Sequence, residues 1–119
     1  DANDFFAQFN QADQIKHVVL AYENDTAIGC GAMKEYNRES MEIKRMFVSV
    51  EQRGKGIAST VLEELENWAK ELGYKKCMLE TGNDMLEAVG LYTKSNYKII
   101  PNYGQYANVA DSVCFEKVL

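Results

Sequence analysis

Apolar and polar positions along the chain change rhythm several times, and each change marks an element. Residues 15–22 and 26–33 are short runs rich in strand formers. Between them Glu23, Asn24 and Asp25 supply a turn, because Asn and Asp accept the positive φ of a tight hairpin. Gly29 and Gly31 alternate in the second run, which predicts close packing or a bulge. Residues 34–40 are polar and read as a loop. Residues 41–50 form the next strand, with strand formers Phe47, Val48 and Val50 and the apolar bulk of Met46. The opening is therefore an antiparallel meander.

The rhythm then becomes helical. Ala58, Val61, Leu62, Leu65, Ala69 and Leu72 recur every three or four residues, which predicts a helix over about 56–72. Trp68 stands at the edge of this stripe, and Glu63, Glu64, Glu66, Lys70 and Glu71 face water. Gly73 is a natural C-terminal cap. A strand at 75–80 follows so closely that it runs parallel to the 41–50 strand through a helical crossover. Residues 81–84 break it. A second helix over 85–95 is weakened by Gly90 and ends at Asn96, which tolerates the left-handed conformation. A short strand at 97–100, a loop at 101–111 with Tyr103, Gly104 and Tyr106, and a closing strand at 112–119 complete the pattern. In that last strand Val113, Phe115 and Lys117 share one face. At the other end of the chain, Phe5, Phe6 and Phe9 stand at helical spacing. The sum is one α/β (α+β) domain over 1–119: a mixed, mostly antiparallel sheet with a parallel central pair and helices on both faces.

Composition narrows the function. At 119 residues and 46% hydrophobic, the chain is one domain with enough apolar matter for a core. A net charge of −5 argues against a general nucleic-acid or membrane binder, and no apolar run is long enough to span a bilayer. Cys30, Cys77 and Cys114 are odd in number and widely spaced, which fits neither a disulfide framework nor a metal site. Each lies in an apolar strand and reads as a small buried hydrophobe in a reducing, cytoplasmic setting. His17, alone in an apolar strand, reads as structural. The chain starts at Asp1 rather than Met, so the expectation is an N-terminally trimmed domain.

Candidate chemistry concentrates where the strand at 41–50 turns into the long helix. Arg53-Gly54-Lys55-Gly56 puts two glycines and two cations at a helix start, where the first N–H groups lack partners and the dipole favours an anion. The stretch predicts a phosphate-bearing ligand. A ligand-free structural turn is the alternative. A dinucleotide-binding unit is another, with Glu80 at a tolerable distance, but it would need a third glycine where Ser59 stands.

The wider pattern resembles a known family. Arg53-Gly54-Lys55-Gly56-Ile57-Ala58 is similar to the Arg/Gln-x-x-Gly-x-Gly/Ala signature of the GNAT N-acetyltransferases, between a central strand and an amphipathic helix as in that family. Residues 87–97 look like its Ala-Ile-x-Leu-Tyr-x-Lys-x-Gly-Phe segment, with Asn96 in place of the glycine. The likeness runs from about Ile15 to the C-terminus. The family usually begins with a strand and one or two helices before the hairpin, and much of that is absent here.

What the resemblance implies falls on particular residues. Acetyl-CoA would place its pyrophosphate over the backbone N–H groups of Arg53, Gly54, Lys55, Gly56, Ile57 and Ala58, with the Arg53 and Lys55 side chains assisting. Its pantetheine arm would run between the splayed parallel strands and pair with the backbone of Met46 and Val48; the Met46 amide would polarise the thioester carbonyl. Asn83 would help hold CoA. Glu42 would be general base, partial burial raising its pKa, unless it is a solvated glutamate paired with Lys44 or Arg45. Tyr92 would be general acid, the alternative being a core tyrosine. Tyr103 and Tyr106 would line an acceptor pocket or simply pack on the sheet. The implied reaction is direct N-acetyl transfer to a primary amine of a small molecule or peptide, without metal or covalent intermediate. A module that binds acyl-CoA without turnover is the rival. Enzymes of this kind are often dimeric, so a homodimer is an expectation by analogy.

Overall fold

The structure, a computed structural model, describes residues 15–119. Six strands, β1 (His17–Glu23), β2 (Thr26–Asn37), β3 (Ser40–Val48), β4 (Lys76–Gly82), β5 (Lys98–Ile100) and β6 (Ser112–Val118), form one sheet among the described residues, in the order β1-β2-β3-β4-β6-β5. Among the described residues two α-helices, α1 (Ile57–Glu71) and α2 (Leu86–Lys94), follow β3 and β4. Among the described strands only β3 and β4 pair in parallel, and α1 is their crossover. A doubly wound dinucleotide fold needs a mostly parallel sheet, so that alternative fails on topology. The helix expected around Phe5, Phe6 and Phe9 lies outside the described residues. No described helix is long and apolar enough to cross a membrane.

The turns form where the side chains permit them. Asn24 takes φ 56° in the β1–β2 hairpin, Gly73 takes φ 94° after α1, and Asn96 takes φ 72° after α2. The second hairpin is longer than its polarity suggested. Residues 34–37 are strand, paired Lys34↔Glu42, Glu35↔Met41 and Asn37↔Ser40, so only Arg38 and Glu39 turn. Their side chains are exposed; backbone pairing, which the side-chain pattern does not report, holds this end.

The core lies under α1. Val61, Leu62, Leu65 and Ala69 pack with Met33, Met41, Ile43, Cys77, Leu79 and Phe115, and Tyr92 of α2 joins the same cluster. Leu62 and Leu65 are fully buried, each stabilising the fold by about 2 kcal/mol. Gly31 explains the close seating of the helix. A Cβ there would stand 2.5 Å from Met46 Sδ, 2.8 Å from Val61 Cγ1 and 2.9 Å from Leu65 Cδ1. His17 meets Trp68 edge-on at 4.8 Å, a packing role. All three cysteines are buried and none is in a disulfide. Burial pushes Cys30 up to about 11 against the lowering charge of Arg45. It also pushes Cys77 up to about 12, so neither is a ready thiolate.

One helix position departs from expectation. Glu66 faces the core rather than water, at 8% exposure. It sits four residues from Leu62 and three from Ala69, which puts it on the apolar stripe. Its carboxylate accepts hydrogen bonds from the Tyr97 hydroxyl (2.8 Å) and Lys117 Nζ (2.9 Å), so burial leaves neither oxygen unsatisfied.

The feature that positions the site is a parting of strands. The β3–β4 pairing covers Ser40↔Lys76, Met41↔Cys77 and Glu42↔Met78, then stops, although β3 continues to Val48 and β4 to Gly82. The cause lies in β3. Its register with β2 slips between Cys30 and Ala32, and Arg45 adopts φ 57° at that bulge. A bulge bends its strand and adds twist, which swings the end of β3 away from β4.

Candidate active site

The turn after β3 begins as a 3-10 segment, Val50–Gln52, and passes into α1 through two left-handed glycines, Gly54 (φ 80°) and Gly56 (φ 83°). Ser49, Gln52 and Arg53 already spend their amides on Ile28 O, Ser49 O and Val50 O. From Gly54 through Ser59, no amide has a partner among the described residues; Thr60 is the first to bond back, to Gly56 O at 3.1 Å. Nothing lies within 4 Å of where a Cβ would stand on Gly54 or Gly56. The turn is thus an open concavity of unspent N–H groups at the positive end of a helix.

Beside it, between α2 and the end of β3 that has parted from β4, lies a cleft of about 780 Å³. Met46, Phe47 and Val48 line one wall, Gly54, Gly56, Ile57, Ala58 and Ser59 its end, and α2, including Leu86, Leu91 and Tyr92, the other wall. Ser49 N–H bonds toward β2, so strand alternation turns the N–H and C=O of Val48 and Met46 away from β2, toward the opening. The Tyr92 ring is held by Tyr97 at 5.7 Å and Phe115 at 5.9 Å. Burial pushes its phenol up to about 12, so it keeps its proton at neutral pH. Its hydroxyl has no hydrogen-bond partner among the described residues.

The throat of the opening has a second side. Met41, Ile43, Cys77 and Leu79 point into the core under α1, so Glu42, Met78 and Glu80 project from the opposite face. Glu42 is 9% exposed, at the last paired position. Its Oε2 accepts from the Tyr103 hydroxyl at 2.7 Å, and its Oε1 faces Lys44 Nζ at 3.7 Å. Glu80 Oε2 accepts from Ser112 Oγ at 2.6 Å. The arrangement is a cleft with an unbonded phenol on one face of the sheet and two carboxylates on the other. Such a site suits transfer of an acyl group to a protonated nucleophile.

Comparison with known proteins agrees with this geometry. Residues 1–97 match the Acetyltransferase (GNAT) family. The chain belongs to that family. It is 34% identical to the Uncharacterized N-acetyltransferase YsnE of Bacillus subtilis over 101 residues, covering 83% of this chain and 67% of that protein. It is 32% identical to an IAA acetyltransferase of Azospirillum brasilense over 102 residues, covering 85% and 67%. This chain therefore spans about two thirds of the length of both relatives. A crystal structure of a putative acyl-CoA N-acyltransferase from Klebsiella pneumoniae superposes with a TM-score of 0.83 at 27% identity, covering 99% of this chain and 85% of that one.

Within this GNAT chain the residues singled out by sequence separate into groups. Gly54, Gly56, Ile57 and Ala58 meet Met46, Val48 and Tyr92 in one cleft. Arg53 lines it differently than expected. Its amide is spent on Val50 O, its Nε donates to Val48 O at 2.9 Å, and its guanidinium lies 5.5 Å over the Phe47 ring. The arginine therefore braces the turn against β3 and occupies a carbonyl expected to be open. Lys55 is exposed and donates to Gln52 Oε1 at 3.0 Å. Asn83 is exposed, spends its amide on Asp111 O at 2.7 Å, and does not line the cleft. Glu42 stands on the far face, hydrogen-bonded by Tyr103 and with Lys44 Nζ 3.7 Å from its other oxygen. Sequence reading placed Tyr92 at the site but missed Phe47, Ser59 and, on the α2 wall, Met85, Leu86 and Leu91. The available signal was the apolar pair Met85 and Leu86 at a helix start, which the structure leaves exposed.

Proposed function

We propose that the chain is an N-acetyltransferase that moves the acetyl group of acetyl-CoA directly to a primary amine of a small molecule or peptide. The observation that carries this reading is the parting of β3 and β4 after Glu42↔Met78, beside a turn with unspent amides from Gly54 to Ser59. Those two features fit an acyl-CoA, whose diphosphate needs donors and whose pantetheine arm needs a slot. A GNAT acetyltransferase of Elizabethkingia anophelis with acetyl-CoA bound shares the fold, at a TM-score of 0.75 and 25% identity over 86% of this chain and 75% of that one.

When bound, acetyl-CoA supplies an activated acetyl thioester. The amides of Gly54, Lys55, Gly56, Ile57 and Ala58 hold the diphosphate. The Met46 and Val48 edge of β3 orients the pantetheine, and the Met46 N–H donates toward the thioester carbonyl oxygen. Glu42 Oε1 takes the proton that an incoming ammonium must lose. The Tyr92 hydroxyl donates a proton at the sulfur end. Glu80 Oε1, without a partner among the described residues, is the second carboxylate able to serve the amine.

The test is a primary-amine panel assayed for CoA release with acetyl-CoA as donor. Turnover that depends on an added amine is expected. A chain that binds acetyl-CoA by calorimetry yet acetylates nothing would instead be a binding module.

A further inference from the structure

A side chain outside the sequence motifs crosses the far face of the sheet at the point where β3 and β4 last pair. Tyr103 belongs to the loop after β5, and β5 is separated from β3 by β6 and β4. Its backbone lies against the Cys114 thiol on β6, while its hydroxyl reaches Glu42 Oε2 on β3 at 2.7 Å. The side chain thus crosses the far face where β3 and β4 last pair.

Its ring is held from both sides. Tyr36, at the end of β2, meets it edge-on at 5.1 Å, and Tyr106 at 5.7 Å. The loop is fixed at its base, where Asn102 Nδ2 donates to Val109 O and Ser112 O, both at 3.1 Å. Burial first, then the bond and charge of Glu42, push the Tyr103 phenol well above the usual tyrosine range. It is therefore the donor in this pair, and Glu42 the acceptor. One oxygen of Glu42 is fixed by Tyr103, and the other faces Lys44 at 3.7 Å, beyond hydrogen-bond distance.

Resting on the N-acetyltransferase reading, we propose that Tyr103 is the positioning residue for Glu42. It holds the carboxylate in one rotamer with Oε1 turned to the amine, and it fastens residues 101–111 across the acceptor side of the throat. A carboxylate held by one charge-assisted bond is pre-oriented without being neutralised.

Tyr103→Phe tests this, because it keeps the ring contacts and removes only the donor. The expected result is a fall in kcat of about tenfold, with KM for acetyl-CoA and for amine within about twofold of wild type. Because Tyr103 acts through Glu42, adding Tyr103→Phe to Glu42→Gln should cost little more than Glu42→Gln alone. Hydrogen exchange supplies a readout independent of turnover. Both single variants should expose amides in residues 101–111 and leave α1 unchanged. Fully multiplicative kcat losses, or unchanged exchange across 101–111 in both variants, would overturn the proposal. A wild-type chain that turned over no amine would sink the acetyltransferase reading, and the exchange result would still decide whether Tyr103 holds Glu42.

Discussion

Glu66 on α1 and Glu42 on β3 have matching partners in opposite settings. Glu66 accepts from Tyr97 at 2.8 Å and from Lys117 at 2.9 Å, under the helix and beside the zipped end of β3 and β4. Glu42 accepts from Tyr103 at 2.7 Å, faces Lys44 at 3.7 Å, and stands where those strands part. In the first, each oxygen already accepts a hydrogen bond and the lysine is in hydrogen-bond contact, so the carboxylate is tied down at both oxygens. In the second, one oxygen stays available and the lysine stands off. The same residue types thus make a fastening in one place and a proton acceptor in the other. The difference lies in whether the second oxygen is already spent.

The largest effect expected from breaking this comparison is on turnover. Glu42→Gln should lower kcat by about 10²-fold or more while leaving the melting temperature nearly unchanged. Glu80→Gln, which disturbs one bond to Ser112, should cost at most about threefold in kcat. Steady-state kinetics on both variants checks this; the reverse order would move the proton acceptor to β4. Glu66→Ala should do the opposite. It strands Lys117 and the Tyr97 hydroxyl, and chemical denaturation should show a loss of about 3 kcal/mol with kcat per folded molecule preserved. An unaffected stability would mean that the buried network is idle.

A smaller effect concerns alkaline pH. Burial raises Tyr92 to about 12, and Tyr97 is also raised, by burial and then by Cys77 and Glu66. Both hold protons that the unfolded chain releases near pH 10. Their contribution is therefore complete below pH 10 and is lost as pH rises through the folded-state values, about 3 kcal/mol for Tyr92 alone. Melting temperature should fall between pH 10 and 12, less steeply in Tyr97→Phe. A flat wild-type profile would contradict the assigned burial.

Much of this was legible in the residues. Apolar periodicity located α1, and Asn24, Gly73 and Asn96 marked turns because each takes a left-handed φ. The glycine pair signalled the unspent amides. What escaped has a common cause. Glu66 was assigned to water because a charge was assumed to mean exposure, and its partners Tyr97 and Lys117 lie 31 and 51 residues away. The bracing of Arg53 onto Val48 O and the bond from Tyr103 to Glu42 are also tertiary contacts, the latter 61 residues apart. Local pattern cannot report such pairs. The polar strand at 34–37 escaped because backbone pairing alone defines it.

Amide chemical-shift mapping during a CoA titration of the labelled chain tests the central assignment most directly. The largest perturbations should fall on Gly54, Lys55, Gly56, Ile57 and Ala58, with a second group at Met46 and Val48. Saturable binding that leaves those amides unmoved would contradict the account.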